Sequence, residues 1–299
     1  MTTILAGAAT DTGRVRERNE DAVRLAEPSS PQVAERGFLA VVADGMGGHQ
    51  RGDVASAIAV DTLFETFYAG PPPGDAVAAL KGGFRAANER IAAQASGGDP
   101  GSTPGTTLVA AAVVGDQLTV ANVGDSRAYL VRAEAATQIT RDHSLVAEQV
   151  AGGKMTPEEA RESRYRNVVT RALGHRAKLD VDVFEIVLLP DDCVVLCSDG
   201  VHGHVEPEEI ADLGLRGSPE EASRRLIDLA LERGSTDNVT AAVIWHEPSR
   251  VAVAAGDTSR LPAAVGAGGR GLSPVLLLLL LAVLIALIVG VAFALGLFG

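Results

Sequence analysis

Three aspartates directly follow hydrophobic runs. Phe38-Leu-Ala-Val-Val-Ala43 leads into Asp44-Gly45, Leu118-Thr-Val-Ala-Asn-Val123 into Gly124-Asp125, and Cys193-Val-Val-Leu-Cys197 into Ser198-Asp199-Gly200. A fourth, in Asp237-Asn238, leads straight into the last such run, Val239–Trp245. One Asp-Gly after a strand is ordinarily a turn. Four acidic turns at strand ends invite a second reading. If those ends converge, the carboxylates meet in one cleft, where protons or bound cations must relieve their repulsion. An all-oxygen ligand set suits Mg²⁺ or Mn²⁺ rather than Zn²⁺. Glycine beside aspartate also lets a backbone carbonyl approach an ion.

One cation is placed to join them. Arg16-Glu17-Arg18-Asn19-Glu20-Asp21 follows the first hydrophobic run. It reads either as a solvated charged turn or as an arginine clamp for an oxyanion beside the metals. The histidines are less telling. His49 ends a glycine loop, and His143 lies far downstream among polar residues. His202-Gly-His204 could suggest a metal pair, but no further His or Cys cluster completes a zinc set, so a loop variation facing the cleft is the plainer reading. His175 and His246 read as structural.

The elements that must hold these residues are mixed. β-like runs occupy Ile4–Thr10, Phe38–Ala43, Thr107–Val114, Leu118–Val123, Ala128–Val131, Val181–Leu188, Val194–Cys197 and Val239–Trp245. Helical patterns fill Asp53–Tyr68, Asp75–Ala95, Ser144–Ala151 and Pro219–Glu232. Thr156-Pro-Glu-Glu and Ser218-Pro-Glu-Glu each combine a capping hydroxyl, Pro at the first helical position and Glu at the third. The strands between Thr107 and Val131 follow one another through short turns, which predicts antiparallel pairing among them. Strict strand–helix alternation is absent, so an α+β domain over residues 1–247 is expected rather than a parallel sheet.

Of the 299 residues, 46% are hydrophobic, and the mean hydropathy is +0.17. Much of that comes from Val275–Gly299, which has 22 apolar residues, three glycines and no charge. As a helix it would rise about 37 Å, enough to cross a hydrocarbon core of about 30 Å. The preceding 274 residues are roughly 42% hydrophobic, ordinary for a globular domain. Residues 275–299 are therefore expected to form a transmembrane helix, and 248–274 a flexible linker with a reach of roughly 30 Å. Arg250, Arg260 and Arg270 precede the span, which places the large domain in the cytoplasm at the plasma membrane, single-pass. Ala282, Ala286, Gly290 and Ala294 form a small-residue stripe that would let two such helices meet as a weak dimer.

The chain carries a net charge of −12, and residues 1–247 carry −14. Such a surface repels phosphate backbones and argues against nucleic-acid binding. Cys193 and Cys197 share one strand face and read as two buried thiols, not a disulfide. With no signal peptide before Ile4, a reducing compartment is expected.

Five motifs now stand together. They are Arg16-x-x-Asn19-Glu20-Asp21, Ala43-Asp44-Gly45-Met46-Gly47-Gly48, Gly124-Asp125-Ser126-Arg127, Cys197-Ser198-Asp199-Gly200 and Asp237-Asn238-Val239-Thr240. In order and spacing they resemble the metal-dependent serine/threonine protein phosphatases of the 2C (PPM) family, over about residues 6–247. The stretch from Thr140 to Gly174 resembles the bacterial members' region that includes the flap. The resemblance implies a four-layer α-β-β-α sandwich of two antiparallel sheets with a metal cleft at one end. It implies two Mn²⁺ or Mg²⁺ ions, and a third as in bacterial members. Asp44 would bridge two ions and the Gly45 carbonyl would bind one of them. Asp199 and Asp237 would hold the other, and Asp125 with Asp199 the third. Arg16 would bind the substrate phosphate, with Glu20, Asp21 and Asn238 in support.

The implied reaction is hydrolysis of phosphoserine or phosphothreonine by a metal-activated water. Phosphoproteins would be the partners, a serine/threonine kinase and its substrates among them. Eukaryotic members often carry His where Met46 stands, and a thioether cannot donate the proton that the leaving hydroxyl needs. A phosphoprotein-binding pseudophosphatase is the alternative. It would be expected to lack a metal carboxylate or the phosphate arginine, and all are present.

Overall fold

The computed structural model describes residues 3–46, 51–69, 75–94, 104–175 and 179–247. The linker 248–274, the apolar segment 275–299 with its small-residue stripe, and Gly47, Gly48 and His49 lie outside the described residues. Among the described residues no helix is long and apolar enough to cross a membrane.

Among the described residues, eleven strands form two antiparallel sheets. One joins β1 (Thr3–Asp11), β11 (Val239–Glu247), β10 (Asp192–Cys197), β7 (Arg127–Arg132) and β8 (Ala135–Gln138), in that order. The other joins β2 (Asp21–Leu25), β3 (Phe38–Met46), β5 (Leu108–Val114), β6 (Gln117–Val123) and β9 (Asp182–Val187), with the short β4 (Gly105–Thr106) added to β3. Helices α2 (Gly52–Ala69) and α3 (Ala76–Gln94) cover the second sheet. On the first lie α7 (Pro207–Gly214) and α8 (Pro219–Glu232). Short helices α1 (Pro31–Arg36), α4 (Leu145–Ala151), α5 (Pro157–Glu162) and α6 (Asp199–His202) complete the set.

Residue alternation explains the layers. In β10, Val194 and Leu196 enter the core between the sheets. Cys193, Val195 and Cys197 enter a second core against α7 and α8, with Leu226 and Ile227. Both cysteines are buried free thiols on one strand face, as their spacing predicts. The run Phe38–Ala43 is buried throughout, because β3 is covered on one face by the other sheet and on the other by α2. Two faces filled on each sheet make the four-layer sandwich.

The helix starts follow their sequence signals. Thr156 and Ser218 accept from the N–H groups of Glu159 and Glu221 at 3.2 Å each, and both glutamates return the bond.

The antiparallel pairing expected between Thr107 and Val131 is present, but it is shared between both sheets. The strands from Thr107 to Val131 do not all pair with each other. β5 and β6 form a hairpin, but β7 leaves for the other sheet and pairs with β10 and β8. The link is Gly124-Asp125-Ser126, too short to be told from a hairpin turn by length. At Gly124, φ is +113°, the region that favours glycine. A side chain there would also strike Thr107. The crossover therefore sets Asp125 at the seam between the sheets.

Candidate metal centre

Each acidic side chain is positioned by backbone contacts at a strand end. Asp44, near the end of β3, sits opposite Asp21 in the β2–β3 register. Its N–H donates to Thr107 Oγ1 at 3.0 Å, and its carbonyl accepts from Thr106 Oγ1 at 2.8 Å and Thr107 N at 2.9 Å. Gly45 is wedged between the Glu20 and Gly52 carbonyls, where no side chain fits. Thr106 and Thr107 are supports that sequence reasoning missed. Their hydroxyls follow Gly105 in a stretch without an acidic signal.

Asp199 starts α6, directly after β10. Ser198 ties this turn to its neighbours: its Oγ donates to Asp21 Oδ2 at 2.9 Å and accepts from Thr240 N at 3.1 Å. At Gly200 a side chain would strike the Asn238 carbonyl, so glycine permits the Asp199 and Asp237 turns to touch.

Asn238 does the equivalent for the Arg16 loop. Its Oδ1 accepts from Glu20 N at 2.9 Å, while Nδ2 donates to the carbonyls of Thr12 at 2.8 Å and Arg18 at 2.9 Å. Arg16 itself reaches back to Asp237, Nη2 to Oδ2 at 2.6 Å.

Two imidazoles hold the Gly124-Asp125 turn. The N–H of Gly124 donates to His143 Nδ1 at 3.0 Å, and His143 N donates back to the Gly124 carbonyl at 3.0 Å. His202 Nε2 lies 3.0 Å from the Asp125 carbonyl. Burial, with Arg127 nearby, pushes the His202 pKa down to about 3, so the ring is neutral and its Nε2–H donates to that carbonyl. His202 thus faces the cleft from the Asp199 loop and supports a neighbour. His204 makes no such bridge to the aspartates. His246 is structural, with Nδ1 3.0 Å from the Leu189 carbonyl and Nε2 3.2 Å from Asp116. His175 is exposed.

The carboxylates feel one another. Burial first, then the fields of Asp21, Asp199, Asp125 and Asp237, hold the Asp44 pKa well above the carboxylate range. Burial raises Asp21 and Asp125 to about 7 each, with Asp199 adding to both. Asp199 is raised by burial and by Asp237, and Glu20 by burial, with Asp53 adding.

The cleft thus gathers Asp21, Asp44, Asp125, Asp199, Asp237, Glu20 and Arg16, every acidic or cationic candidate named from sequence. They ring the cleft rather than meet at a point. Among the described residues no three His, Cys, Asp or Glu side chains are grouped tightly enough to hold one ion. Two observations nevertheless fit a cation. Asp199 Oδ1 is buried without a hydrogen-bond partner, and the donors are hard oxygens under mutual repulsion.

A two-sheet sandwich with an oxygen-only acidic cleft and an arginine at its lip defines a protein suited to divalent cations and oxyanions. Comparison with known proteins is specific. Residues 6–239 match the family model described as protein phosphatase 2C. The serine/threonine phosphatase stp of Listeria welshimeri is 36% identical over 239 residues, 79% of this chain and 93% of that protein. The crystal structure of the Mycobacterium tuberculosis serine/threonine phosphatase PstP/Ppp superposes with a TM-score of 0.74 at 36% identity, covering 83% of this chain and all of that one. A PstP catalytic domain in complex with two manganese ions gives 0.72 at 36% identity, with the same shares covered. The chain belongs to the protein phosphatase 2C family.

Proposed function

We propose that the chain is a metal-dependent serine/threonine protein phosphatase. The convergence of Asp21, Asp44, Asp125, Asp199 and Asp237 on one cleft carries this reading, because buried carboxylates crowded together suit a site built for cations. Asp44, Asp199 and Asp237, with the Gly45 carbonyl, would hold two Mn²⁺ or Mg²⁺ ions, and Asp125 with Asp199 a third. When bound, such ions polarise phosphoryl oxygens and make water acidic enough to act as a nucleophile.

The chain's own residues prepare the rest. Arg16 offers a planar fork to the substrate phosphate, and its pairing with Asp237 holds that fork at the lip of the cleft. Asn238 fixes the loop on which Arg16 rides. Thr106 and Thr107 hold the Asp44 backbone. Met46 has no proton to give, so another group must protonate the leaving hydroxyl.

Residues 275–299 serve as a single transmembrane anchor, with the catalytic domain in the cytoplasm, and a serine/threonine kinase with its substrates supplies the phosphoproteins. The uncharged stretch and its flanking arginines support the anchor, and the small-residue stripe supports a weak dimer. Against the pseudophosphatase alternative, the sequence retains every acidic candidate and Arg16.

The test is Mn²⁺-dependent phosphate release from a phosphothreonine peptide. In Asp44→Ala and Asp199→Ala, turnover should fall more than about a hundredfold, the upper range of losses on removing mere outer partners of metal ligands. Folding should persist by circular dichroism. Absence of metal-dependent turnover in the unaltered protein would sink the proposal.

A further inference from the structure

A cavity of about 910 Å³ adjoins the carboxylate cleft. Asp125, Asp199 and Asp237 line it as well, so it opens onto the place where a phosphoryl group would sit. One wall is apolar and helical. Helix α4 contributes Val146 and Val150, one turn apart, and α5 contributes Pro157 and Ala160, also on one face. Val205 and Pro207 form part of the wall between α6 and α7.

Part of the polar floor is already satisfied from within. Arg127 grips Asp142 with Nε at 3.0 and 3.1 Å and Nη2 at 2.7 Å, while Nη1 donates to the Tyr129 hydroxyl at 3.0 Å. Gln138 Nε2 donates to Asp142 Oδ1 at 2.9 Å. Arg161 is engaged by Glu206 at 3.5 Å. These charges cancel locally and offer little to an ionic guest, whereas the helix faces offer apolar area. The volume lies near the top of the roughly 300–1,000 Å³ range of small-molecule pockets, room for more than one side chain.

We propose that this cavity is a subsite for apolar side chains flanking the phosphorylated residue. The protein then prefers phosphopeptides carrying leucine, or a residue of similar size and polarity, beside the phosphothreonine. The inference rests on the phosphatase reading. Arg141 and Arg166 also line the cavity and are the groups that would favour an acidic flank instead, which makes glutamate the necessary comparison.

The test uses the full chain with Mn²⁺ and two kinds of substrate. One is p-nitrophenyl phosphate, which has no flanking residues. The others are phosphothreonine peptides with alanine, leucine or glutamate at each position from two before to two after the phosphoresidue. Leucine in at least one position should raise kcat/KM about tenfold over alanine, the low end of discrimination by an apolar pocket. Ala160→Phe, which fills the cavity, and Val150→Ser, which makes its wall polar, should each erase that preference. Turnover of p-nitrophenyl phosphate and the melting temperature should stay near those of the unaltered protein. Equal rates for leucine and alanine everywhere, or a preference for glutamate, would overturn the subsite. Failure to hydrolyse p-nitrophenyl phosphate would overturn the phosphatase reading and the subsite with it.

Discussion

Asn238 offers a sharp test of how the cleft is assembled. Its carboxamide makes three hydrogen bonds to backbone groups of the Arg16 loop and its flanks, at 2.8 to 2.9 Å. The residue is 4% exposed, so water can replace little of what alanine removes. Three bonds at about 1 kcal/mol net each put the cost of Asn238→Ala at about 3 kcal/mol. For a domain of this size, about 2–4 °C per kcal/mol implies a fall in melting temperature of about 6–12 °C.

The same change frees the loop that presents Arg16. Misplacing a substrate-binding group by about 1 Å can cost up to about a hundredfold, so kcat/KM for a phosphothreonine peptide should drop by at least about tenfold. Arg16→Ala is the control. Its side chain is 48% exposed, and exposed ion pairs contribute about 0–1 kcal/mol, so turnover should fall with little change in melting. Thermal melts and peptide kinetics on the three proteins decide the matter. An Asn238→Ala protein that melts like the unaltered one would refute the stapling, and one that melts early with kcat/KM intact would refute the positioning of Arg16.

Two further outcomes follow from other parts of the fold. His202→Ala removes the donor to the Asp125 carbonyl, so the Mn²⁺ concentration needed for half-maximal turnover should rise, while His204→Ala should leave it unchanged; equal behaviour of the two would refute the bridge. Asp192 is held below the ordinary carboxylate pKa: burial pushes upward, but the Arg132 fork at 2.9 and 2.6 Å and the Leu189 N–H outweigh it. A depressed carboxylate stabilises the fold above its unfolded pKa and loses that contribution as pH falls through the folded value. The melting-temperature gap between the unaltered protein and Asp192→Asn should therefore be widest near neutral pH and close below about pH 4. A gap constant with pH would contradict the ion-pair account.

The site was legible because each metal-type aspartate abuts a hydrophobic run, and strand ends at one edge of a sandwich are neighbours by construction. Asp44, Asp199 and Asp237 needed no more than that. The pairing of Arg16 with Asp237, 221 residues apart, leaves no local trace. β2 escaped because Asp21-Ala-Val-Arg-Leu25 is short, half-buried and at a sheet edge, with too little alternation to stand out from the charged loop before it. α7 begins Glu206-Pro207-Glu208-Glu209, the pattern of α5 and α8 with glutamate in place of the capping hydroxyl. The Glu206 N–H still donates to Glu209 Oε2 at 3.1 Å, so the signal was present in altered chemistry. The change of sheet at Gly124-Asp125-Ser126 was hidden for a different reason. Three residues serve equally to turn a hairpin or to cross a sandwich, and what β7 faces on the far side decides between them.

β1 and β11 lie side by side along their full length, Thr3 opposite Glu247 at one end and Asp11 opposite Val239 at the other. The second end carries the Asp237 turn, so the cleft and the point where the chain leaves the sandwich are separated by nine strand residues, about 30 Å. A tag or surface attachment at either end of the domain would leave the cleft open to a large substrate. A short link from Glu247 back to Thr3 would close the sandwich into a ring. The exposed turn at Gly115, between β5 and β6, would then be a natural place to cut it anew, giving a circular permutant whose ends again lie far from the acidic edge.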